Sequence, residues 1–406
     1  MPPAGRADAT ATTTPDDLRR RTTARVLRSL RDDGPAGRAR LAEVTGLSKA
    51  TTGTIAARLA DLGLIDEADA DPGTPGAGGS GGSVGATRGR PVRPVALRPG
   101  VLVGLGMELN VDYVAVAAVD LAGGVARHAV RAAGPDDRVG ALVGLLAEVR
   151  EALGEVRTAG AVLAVPGLVE ADRVTWAPNL RTTGEEVAAR LRGLLGEAVP
   201  LHLDNDASCA AWGEVRHGAA RGARHALYLT GTVGLGAGIV ADGQVLRGAA
   251  GNAGEVGHVP LGHPGAPCGC GRTGCWETAV GLGAMLAATG QPERGTPVAT
   301  AEAVAARATV DPGVREGVRR VAEDLARGLA VVASVVDPEV VVLGGYLGAL
   351  GAHLLDPATE ALDRLLPSPS QRRPDLVAGR LGIDAAAVGA AELALDPVLL
   401  GDVDPP

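Results

Sequence analysis

Residues 255–277 combine Glu255-Val-Gly-His258 with Cys268-Gly-Cys270-Gly-Arg-Thr-Gly-Cys275 and end at Glu277. Three thiolates and one imidazole make a closed tetrahedral set of zinc ligands, and the intervening glycines let the backbone fold around an ion. Four protein ligands leave no position for a reactive water, so the pattern predicts a structural Zn²⁺ held by His258, Cys268, Cys270 and Cys275. The alternative is a loop of reduced cysteines without metal.

Acidic and amide side chains surround this loop in the sequence. Asp204-Asn205-Asp206 follows an apolar strand, Glu255 precedes His258 by three residues, and Glu277 follows Cys275 by two. A zinc-fixed loop would hold the two glutamates near each other, and each can accept a hydrogen bond from a sugar hydroxyl. The cluster therefore indicates a site for a polyhydroxylated ligand, with ordinary surface acids as the alternative.

The glycine-rich run Gly231-Thr-Val-Gly234-Leu-Gly236-Ala-Gly238 lies between Leu229 and Ile239. Backbone amides of such a run can cradle phosphate. A tight β-hairpin accounts for the same residues equally well, so both interpretations stay open.

The chain after Pro99 has the pattern of an α/β protein. Residues Val101 to Val119 predict two buried strands joined by a tight turn, and the whole body allows two related α/β lobes. Further strands are predicted at Ala159–Val165, Leu201–Leu203, Ala226–Leu229, Gly236–Ala241 and Val340–Leu343, and helices at Arg138–Leu153, Glu185–Leu195 and Val314–Val336.

The N-terminal part predicts three helices with a helix-turn-helix. Helices are expected from Asp16 to Leu30, from Arg38 to Thr45, and from an N-cap at Ser48 to about Leu62, with Gly46 in the turn. The residues expected to face inward are Leu18, Val26, Leu30, Leu41, Val44, Ile55, Leu59 and Leu62. The residues expected to face outward and contact DNA are Ser48, Lys49, Thr51, Thr52, Thr54 and Arg58. An ordinary three-helix bundle with a polar face is the alternative.

A wing follows these helices. A strand begins at Leu64-Ile65 and another returns over Val92 to Leu97, while residues 73–87 between them form a Gly-rich insert expected to be disordered. Arg88 and Arg90, on an extended Arg-Gly-Arg-Pro segment, are suited to a narrow minor groove. We therefore expect a disordered tail over residues 1–15, a winged helix-turn-helix over 16–98 and a separate domain over 99–406.

The composition restricts the class of protein. The chain has 406 residues with a formal net charge of −8, yet residues 1–100 hold 15 basic against 11 acidic side chains. A basic head on an acidic body indicates that only the head meets a polyanion. No apolar run reaches membrane-span length, the N-terminus has no signal-peptide core, and four cysteines do not make a disulfide scaffold. We expect a cytoplasmic, nucleoid-associated protein in which Cys209 is a buried small hydrophobe.

The order of these motifs resembles the ROK family (repressors, open reading frames and sugar kinases), in particular its xylose- and N-acetylglucosamine-type transcriptional repressors. The resemblance covers nearly the whole chain. Besides the motifs above, it includes Asp337-Pro-Glu-Val-Val-Val-Leu-Gly344-Gly345, Leu381-Gly382 and Val388-Gly-Ala-Ala391.

The resemblance implies a two-lobed, actin-like sugar-kinase domain behind the DNA-binding head. Carried over residue by residue, the sugar contacts are Gly167, Asn179, Asn205, Asp206, Glu255, His258 and Glu277. His258 would give one ring nitrogen to zinc and the other to the sugar. Asp206 matches the general base of the family's kinases.

Two stretches depart from the kinase pattern. The kinases bind ATP phosphate with an Asp-x-Gly-x-Thr hairpin, whereas this chain has Glu108-Leu109-Asn110-Val111-Asp112. Asn110 adds a side chain where phosphate needs bare backbone, and Asp112 adds a negative charge. Val233 replaces a threonine of the second phosphate loop.

These departures favour a sugar-responsive DNA-binding regulator, a repressor of carbohydrate-metabolism genes without catalytic residues. We expect it to bind a palindromic operator as a homodimer or dimer of dimers, with a sugar or sugar phosphate as effector and no membrane partner. A ROK sugar kinase with an added DNA-binding head is the alternative. A regulator that answers to a partner protein and keeps a vestigial sugar cleft is the third possibility.

Overall fold

The computed structural model describes residues 14–68, 93–134, 136–177, 180, 183–232, 234–366 and 373–406. The Gly-rich insert 73–87, Arg88, Arg90 and Asn179 lie outside the described residues, as do residues 1–13 of the expected tail. No helix in the described part of the chain is long and apolar enough to cross a bilayer.

The N-terminal unit contains three helices and one antiparallel strand pair. Thr14 caps the first helix, because its hydroxyl accepts from the Asp17 N–H at 3.1 Å. The expected tail therefore ends sooner than residue 15. The elements are α1 (Pro15–Asp32), α2 (Arg38–Thr45), α3 (Lys49–Asp61), β1 (Ile65–Glu67) and β2 (Val95–Leu97).

Three side chains of this unit do not lie where the sequence pattern predicts. Leu18 is 58% exposed and Val44 is 41% exposed, so neither belongs to the core. Eight residues at about 100° each place Leu18 roughly 80° away from Val26 around the helix, which explains the first error. Thr52 is wholly buried instead of outward, because it lies three and four residues before the buried Ile55 and Ala56 and shares their face.

The first lobe is built on a five-stranded sheet of order β5-β4-β3-β6-β9. The strands β3, β6 and β9 are parallel, and β4 and β5 continue the sheet antiparallel. The lobe's strands are β3 (Leu102–Leu109), β4 (Tyr113–Asp120), β5 (Val125–Ala132), β6 (Arg157–Val165), β7 (Leu168–Glu170), β8 (Arg173–Trp176) and β9 (Leu201–Asn205), and its helices are α4 (Arg138–Leu153) and α5 (Gly184–Leu195).

The helix α6 (Asp206–His217) leads to the second lobe, whose sheet has the order β12-β11-β10-β13-β14. Its strands are β10 (Ala226–Gly231), β11 (Leu235–Ala241), β12 (Gln244–Val245), β13 (Val340–Gly344) and β14 (Asp375–Ala378). Its helices are α7 (Glu277–Val280), α8 (Leu282–Thr289), α9 (Pro297–Val310), α10 (Pro312–Val336), α11 (Gly345–Ala349) and α12 (Ala352–Leu365). The two sheets have the same topology: each begins with three consecutive antiparallel strands, and two further strands then run parallel to the first of them. The expectation of two related lobes is therefore confirmed.

The helices α6 and α13 (Ala385–Leu393) lie between the lobes and contact each other through backbone atoms. The helices α13 and α14 (Asp396–Leu400) end the chain, and every residue of α13 is buried. A Cβ at Gly106 would lie 1.9 Å from the Ala387 carbonyl oxygen, and one at Gly389 would lie 1.7 Å from the Cys209 carbonyl oxygen. Glycine at these positions lets α13 approach both β3 and α6 closely.

The N-terminal unit shares its hydrophobic core with the body. Val26, Leu27 and Leu59 of the head belong to one buried cluster with Leu102, Val119 and other body residues. Arg31 of α1 also donates to the buried Glu392 of α13 at 2.6 Å. In this structure the head is therefore packed on the body across its described residues.

Candidate functional site

The four predicted zinc ligands come together. The imidazole nitrogen of His258 and the three Sγ atoms all lie within 4.8 Å of one another. The Cys270 and Cys275 Sγ atoms are 3.7 Å apart, and His258 Nδ1 is 3.7 Å from Cys268 Sγ. Tetrahedral bonds of about 2.3 Å place two sulfurs roughly 3.8 Å apart, so the donor set fits a Zn²⁺ ion. The Arg272 guanidinium lowers the pKa of Cys270 to about 6, whereas burial raises the pKa values of the Cys268 and Cys275 thiols.

Glu277 connects this cluster to the glycine-rich hairpin. Its Oε2 accepts from the Leu235 N–H at 2.9 Å, and its Oε1 lies 3.6 Å from Cys268 Sγ. A Cβ at Gly234 would come within 2.3 Å of the same carboxylate. The strands β10 and β11 pair antiparallel up to Gly231 and Leu235, in agreement with the hairpin interpretation. Glu277 thus has protein partners on both oxygens and fixes the hairpin.

Asn205 and Asp206 meet the Pro166-Gly167 turn at the start of α6. The Asn205 amide donates to the Gly167 carbonyl at 3.0 Å and to Asp206 Oδ1 at 3.3 Å, and its oxygen accepts from the Ser208 N–H. Gly167 has φ 137°, and a Cβ there would lie 2.3 Å from the Trp176 carbonyl oxygen. Burial raises the pKa of Asp206 to about 7, with the Glu255 charge adding to the shift.

The remaining sugar candidates face a second cavity. Glu255 and His258 line an open cavity of about 590 Å³ together with Trp176, Asn252 and other residues. His258 Nε2 lies 3.9 Å from Glu255 Oε2, so the nitrogen that turns away from the cysteines faces this carboxylate. Asp206 lines a different cavity, between the lobes. Of the predicted sugar-binding residues, Asp206 therefore lines one cavity, whereas Glu255 and His258 line another.

The interlobe cavity has a volume of about 550 Å³ and is lined by the β3–β4 turn that departs from the kinase pattern. The Asn110 side-chain oxygen accepts from the Val111 N–H at 2.7 Å and lies 3.5 Å from the Asp112 nitrogen. The Asn110 amide donates to Glu108 Oε1 at 2.9 Å, as does the Tyr113 hydroxyl. The Asn110 side chain thus accepts from N–H groups of its own β3–β4 turn.

The predicted DNA-contact residues divide into exposed and paired groups. Ser48, Lys49, Thr51 and Thr54 are exposed on α3. Arg58 is partly buried and donates to Asp404 near the C-terminus at 3.1 Å. The buried Thr52 hydroxyl donates to the Ser48 carbonyl at 3.1 Å, so the expectation that it faces DNA is wrong.

Three site residues escaped the sequence analysis. The Trp176 ring packs edge-on against His258 with centroids 6.1 Å apart, and Arg272 interacts with Cys270. Arg247 holds Asp204 in an ion pair with a shortest distance of 2.5 Å, which removes Asp204 from the sugar candidates. Trp176 is one of three tryptophans in the chain, and this rarity was the signal that the sequence offered.

Comparison with protein families explains why these parts occur together. The model of the ROK family matches residues 104–397. The chain belongs to the ROK family.

Several relatives of this ROK protein differ in how much of the chain they match. It is 35% identical over 251 residues to a glucokinase of Streptomyces coelicolor, covering 57% of the chain and 78% of that enzyme. It is 24% identical over 383 residues to a xylose repressor of Bacillus spizizenii, covering 92% of the chain and 94% of the repressor. A xylose repressor of Caldicellulosiruptor bescii is 28% identical over 368 residues, with 84% and 86% covered.

Solved structures show the same difference in coverage. A ROK family transcriptional regulator, described as a homologue of the E. coli MLC protein, superimposes with a TM-score of 0.76 at 23% identity over 95% of this chain and 98% of its own. A ROK glucokinase from Streptomyces griseus, in complex with glucose and AMPPNP, gives 0.61 at 28% identity over 72% and 98%. The ROK sugar-kinase fold of the body is therefore established.

Proposed function

We propose that this ROK protein is a sugar-responsive DNA-binding transcriptional regulator whose output is repression. The observation that carries the proposal is the match along nearly the full chain to xylose repressors, which includes the N-terminal helices. The glucokinase match covers 57% of the chain. The head is the part that a regulator adds to a kinase-like body.

The N-terminal unit acts as a winged helix-turn-helix in this proposal. The helices α2 and α3 meet at Gly46, which has φ 67°, and the β1–β2 pair follows as a wing. Lys49, Thr51 and Thr54 project from α3 as exposed donors and acceptors suited to phosphates and groove edges. Arg58 joins them once it leaves Asp404, and Arg88 and Arg90 remain wing candidates outside the described residues.

The body acts as the sensor. Asn205, Asp206, Glu255 and His258 supply the polar groups for a sugar or sugar phosphate, and Gly167 anchors the turn that they share. Asn179 stays a candidate outside the described residues. When bound, Zn²⁺ supplies a rigid anchor for the loop, and the chain's own Glu277 transmits that rigidity to the β10–β11 hairpin.

The helix α6 joins the sensor to the head. Its first residue, Asp206, belongs to the sugar site, and its last residue, His217, lies 2.6 Å from Glu392 Oε1. The same oxygen accepts from Arg31 of α1 at 2.6 Å. Closure of the lobes on a sugar would move α6 and so change the spacing of the heads across a homodimer.

A sugar kinase with a DNA-binding head is the second candidate, since Asp206 has a raised pKa near neutrality, as a general base needs. Asn110 argues against it because its oxygen occupies the N–H groups of the β3–β4 turn. An ATP-coupled assay with a panel of sugars separates the two. We expect sugar binding by calorimetry without ATP consumption; sugar-dependent turnover that disappears in Asp206→Asn would establish the kinase instead.

Operator binding is the direct test of the regulator. DNA selected from a random pool should yield a palindrome with half-sites about one helical turn apart. Lys49→Ala should weaken binding at least fivefold by fluorescence anisotropy, whereas Arg190→Ala, an exposed arginine of α5, should leave it unchanged. Equal affinity of Lys49→Ala and wild type, or no enriched sequence, would contradict this assignment of the head.

A further inference from the structure

We propose that the interlobe cavity binds an organic cation, with an ammonium or amidinium group beside Glu108 and Asp206 and an apolar body in the rest of the cavity. This ligand differs in chemistry from the sugar and from DNA, and its site shares Asp206 with the sugar site of the proposed function. The proposal does not depend on the regulator function, because it concerns only what the cavity holds.

The cavity has acidic but no basic lining residues among those described. Its acidic members are Glu108, Asp112, Asp206, Glu214 and Glu302, and no lysine, arginine or histidine lines it. Glu214 accepts from the N–H groups of Ala219, Arg380 and Leu381. Burial raises the pKa of Asp112, and the charge of Arg138 on α4 opposes this shift. Glu302 is exposed, which leaves Glu108 and Asp206 as the two acids whose charges act on each other inside the cavity.

Glu108 has an unfilled acceptor. The residue is 2% exposed, and both of its donors, the Asn110 amide and the Tyr113 hydroxyl, bond to Oε1. Its Oε2 is buried without a hydrogen-bond partner among the described residues. Burial keeps this carboxyl protonated near neutral pH, so the oxygen without a partner has no counter-charge beside it. A charged N–H group of a ligand in the cavity would displace this proton and become the partner of the ionised carboxylate.

The electrostatics agree with a missing positive charge. Burial raises the pKa of Glu108 to about 8, and the charge of Asp206 contributes to the rise. Burial likewise raises the pKa of Asp206 to about 7. Both shifts mean that the buried site disfavours the ionised carboxylates, and a cation between them would favour ionisation and lower both pKa values.

The size of the cavity and its apolar wall define the rest of the ligand. About 550 Å³ lies in the range of small-molecule sites and is far more than one bare metal ion fills. Val130, Pro297, Val298, Leu343 and Ile383 line it with aliphatic surface. A polyphosphate is disfavoured because it would face the acidic side chains and find the turn N–H groups already used by Asn110.

The test uses matched probes that differ only in charge. The sets are tryptamine, tryptophol and indole-3-acetate; hexylamine, hexanol and hexanoate; and benzamidine, benzamide and benzoate, each titrated into the full chain by calorimetry, with MgCl₂ alone as a further probe. We expect the cation of at least one set to bind at least tenfold more tightly than its neutral partner, with its carboxylate weakest.

Two variants locate the binding. Glu108→Gln keeps an oxygen for Asn110 and Tyr113 and removes the charge, so the preference for the cation should fall at least fivefold; Glu360→Gln, an exposed residue of α12, should retain it. Asp206→Asn serves the same purpose if Glu108→Gln does not fold. The proposal is overturned if no set favours its cation, if the preference survives in the cavity variants, or if Mg²⁺ alone binds with the same dependence on Glu108. Sugar and operator affinities do not enter these outcomes.

Discussion

Protonation of Glu108 in the interlobe cavity makes the free energy of unfolding depend on pH. Its pKa is raised from an ordinary 4.5 to about 8 by burial, so the folded chain keeps a proton that the unfolded chain releases. The stability that depends on this proton is present below about pH 4.5 and is lost as the pH rises through about 8. The slope is on the order of 1.4 kcal/mol per unit of pH over that interval.

Glu108→Gln should remove this dependence. We expect the free energy of unfolding of the variant, relative to that of wild type, to be higher at pH 9 than at pH 5. Urea unfolding at the two pH values measures this difference. Glu360→Gln, which changes an exposed charge, should follow wild type at each pH. Parallel pH profiles for Glu108→Gln and wild type would show that Glu108 is ionised in the folded chain throughout.

Substitution of Cys270 tests the metal site. Elemental analysis should find about one zinc per chain, and Cys270→Ser should lose it. Sugar affinity should fall at least tenfold, because Glu277 and His258 depend on the same loop for their positions. Cys209→Ala, which alters a buried cysteine outside the loop, should keep its zinc. Normal sugar binding by metal-free Cys270→Ser would contradict the structural role.

Single residues were predictable where the signal was local. The zinc ligands lie within 18 positions of one another, so their spacing alone predicts the cluster that the structure contains. Asn205 and Asp206 follow a strand and were found in the same way. Arg247 and Trp176 contact the site from distant positions, and no short-range pattern connects them with it.

Helices were predicted best where a glycine ends them. Arg38–Thr45 and Arg138–Leu153 have the expected bounds, and the glycine that follows each, Gly46 or Gly154, has a positive φ. Ser48 accepts from the Thr51 N–H, as expected of an N-cap. The exposed Leu18 shows the limit of the approach. Spacings of eight and twelve residues look helical, but they do not return to one face of a helix.

The contact between α6 and α13 makes a prediction about glycine. Gly389→Ala places a methyl group against the Cys209 carbonyl, which α6 can avoid only by moving, so the variant should lose about 1–3 kcal/mol or more. Gly193→Ala, in α5 with open space around it, should gain about 0.5–1 kcal/mol because alanine is the better helix former. Urea unfolding measures both. A neutral Gly389→Ala would show that the two helices are loosely packed.

The pair Arg31–Glu392 ties α1 to α13 in a buried place, with both side chains 2% exposed. Glu392→Gln leaves the guanidinium buried without its carboxylate and should cost about 3–5 kcal/mol in the free energy of unfolding. Arg31→Met combined with Glu392→Met should recover part of this loss, because the buried guanidinium is removed while His217 and Arg216 still lack the Glu392 carboxylate. If the double variant is as unstable as the single one, packing rather than charge explains the effect.

At the scale of the whole molecule, the head and body should unfold together. Head residues such as Leu27 and Leu59 share one buried cluster with body residues such as Leu102 and Val398. Calorimetry of the full chain should therefore show a single transition for both parts. A body lacking residues 1–98 should expose this apolar surface and aggregate. Two separated transitions, or a soluble and equally stable truncated body, would contradict a common core.

The sequence predicted the two parts but not how they join. Periodicity and composition separate a basic helical head from an acidic α/β body, and both are present in the structure. The joining surface depends on Val398 and Leu399 of α14, which packs on α1 although hundreds of residues separate the two helices in sequence. Such contacts depend on the complete topology, which local patterns do not encode.

Asp404 has a consequence for how the head would meet DNA. This carboxylate, two residues from the end of the chain, lies 2.9 Å from Arg19 and 3.1 Å from Arg58. It is an internal counterion of both arginines. Arg58 must give up this ion pair before it can neutralise a DNA phosphate and displace a cation condensed on the DNA. Asp404→Asn frees Arg58 for such a contact, so operator affinity should rise and its salt dependence should steepen by about one unit on a double-logarithmic plot. The last residues of the chain thus set how strongly the operator complex responds to ionic strength.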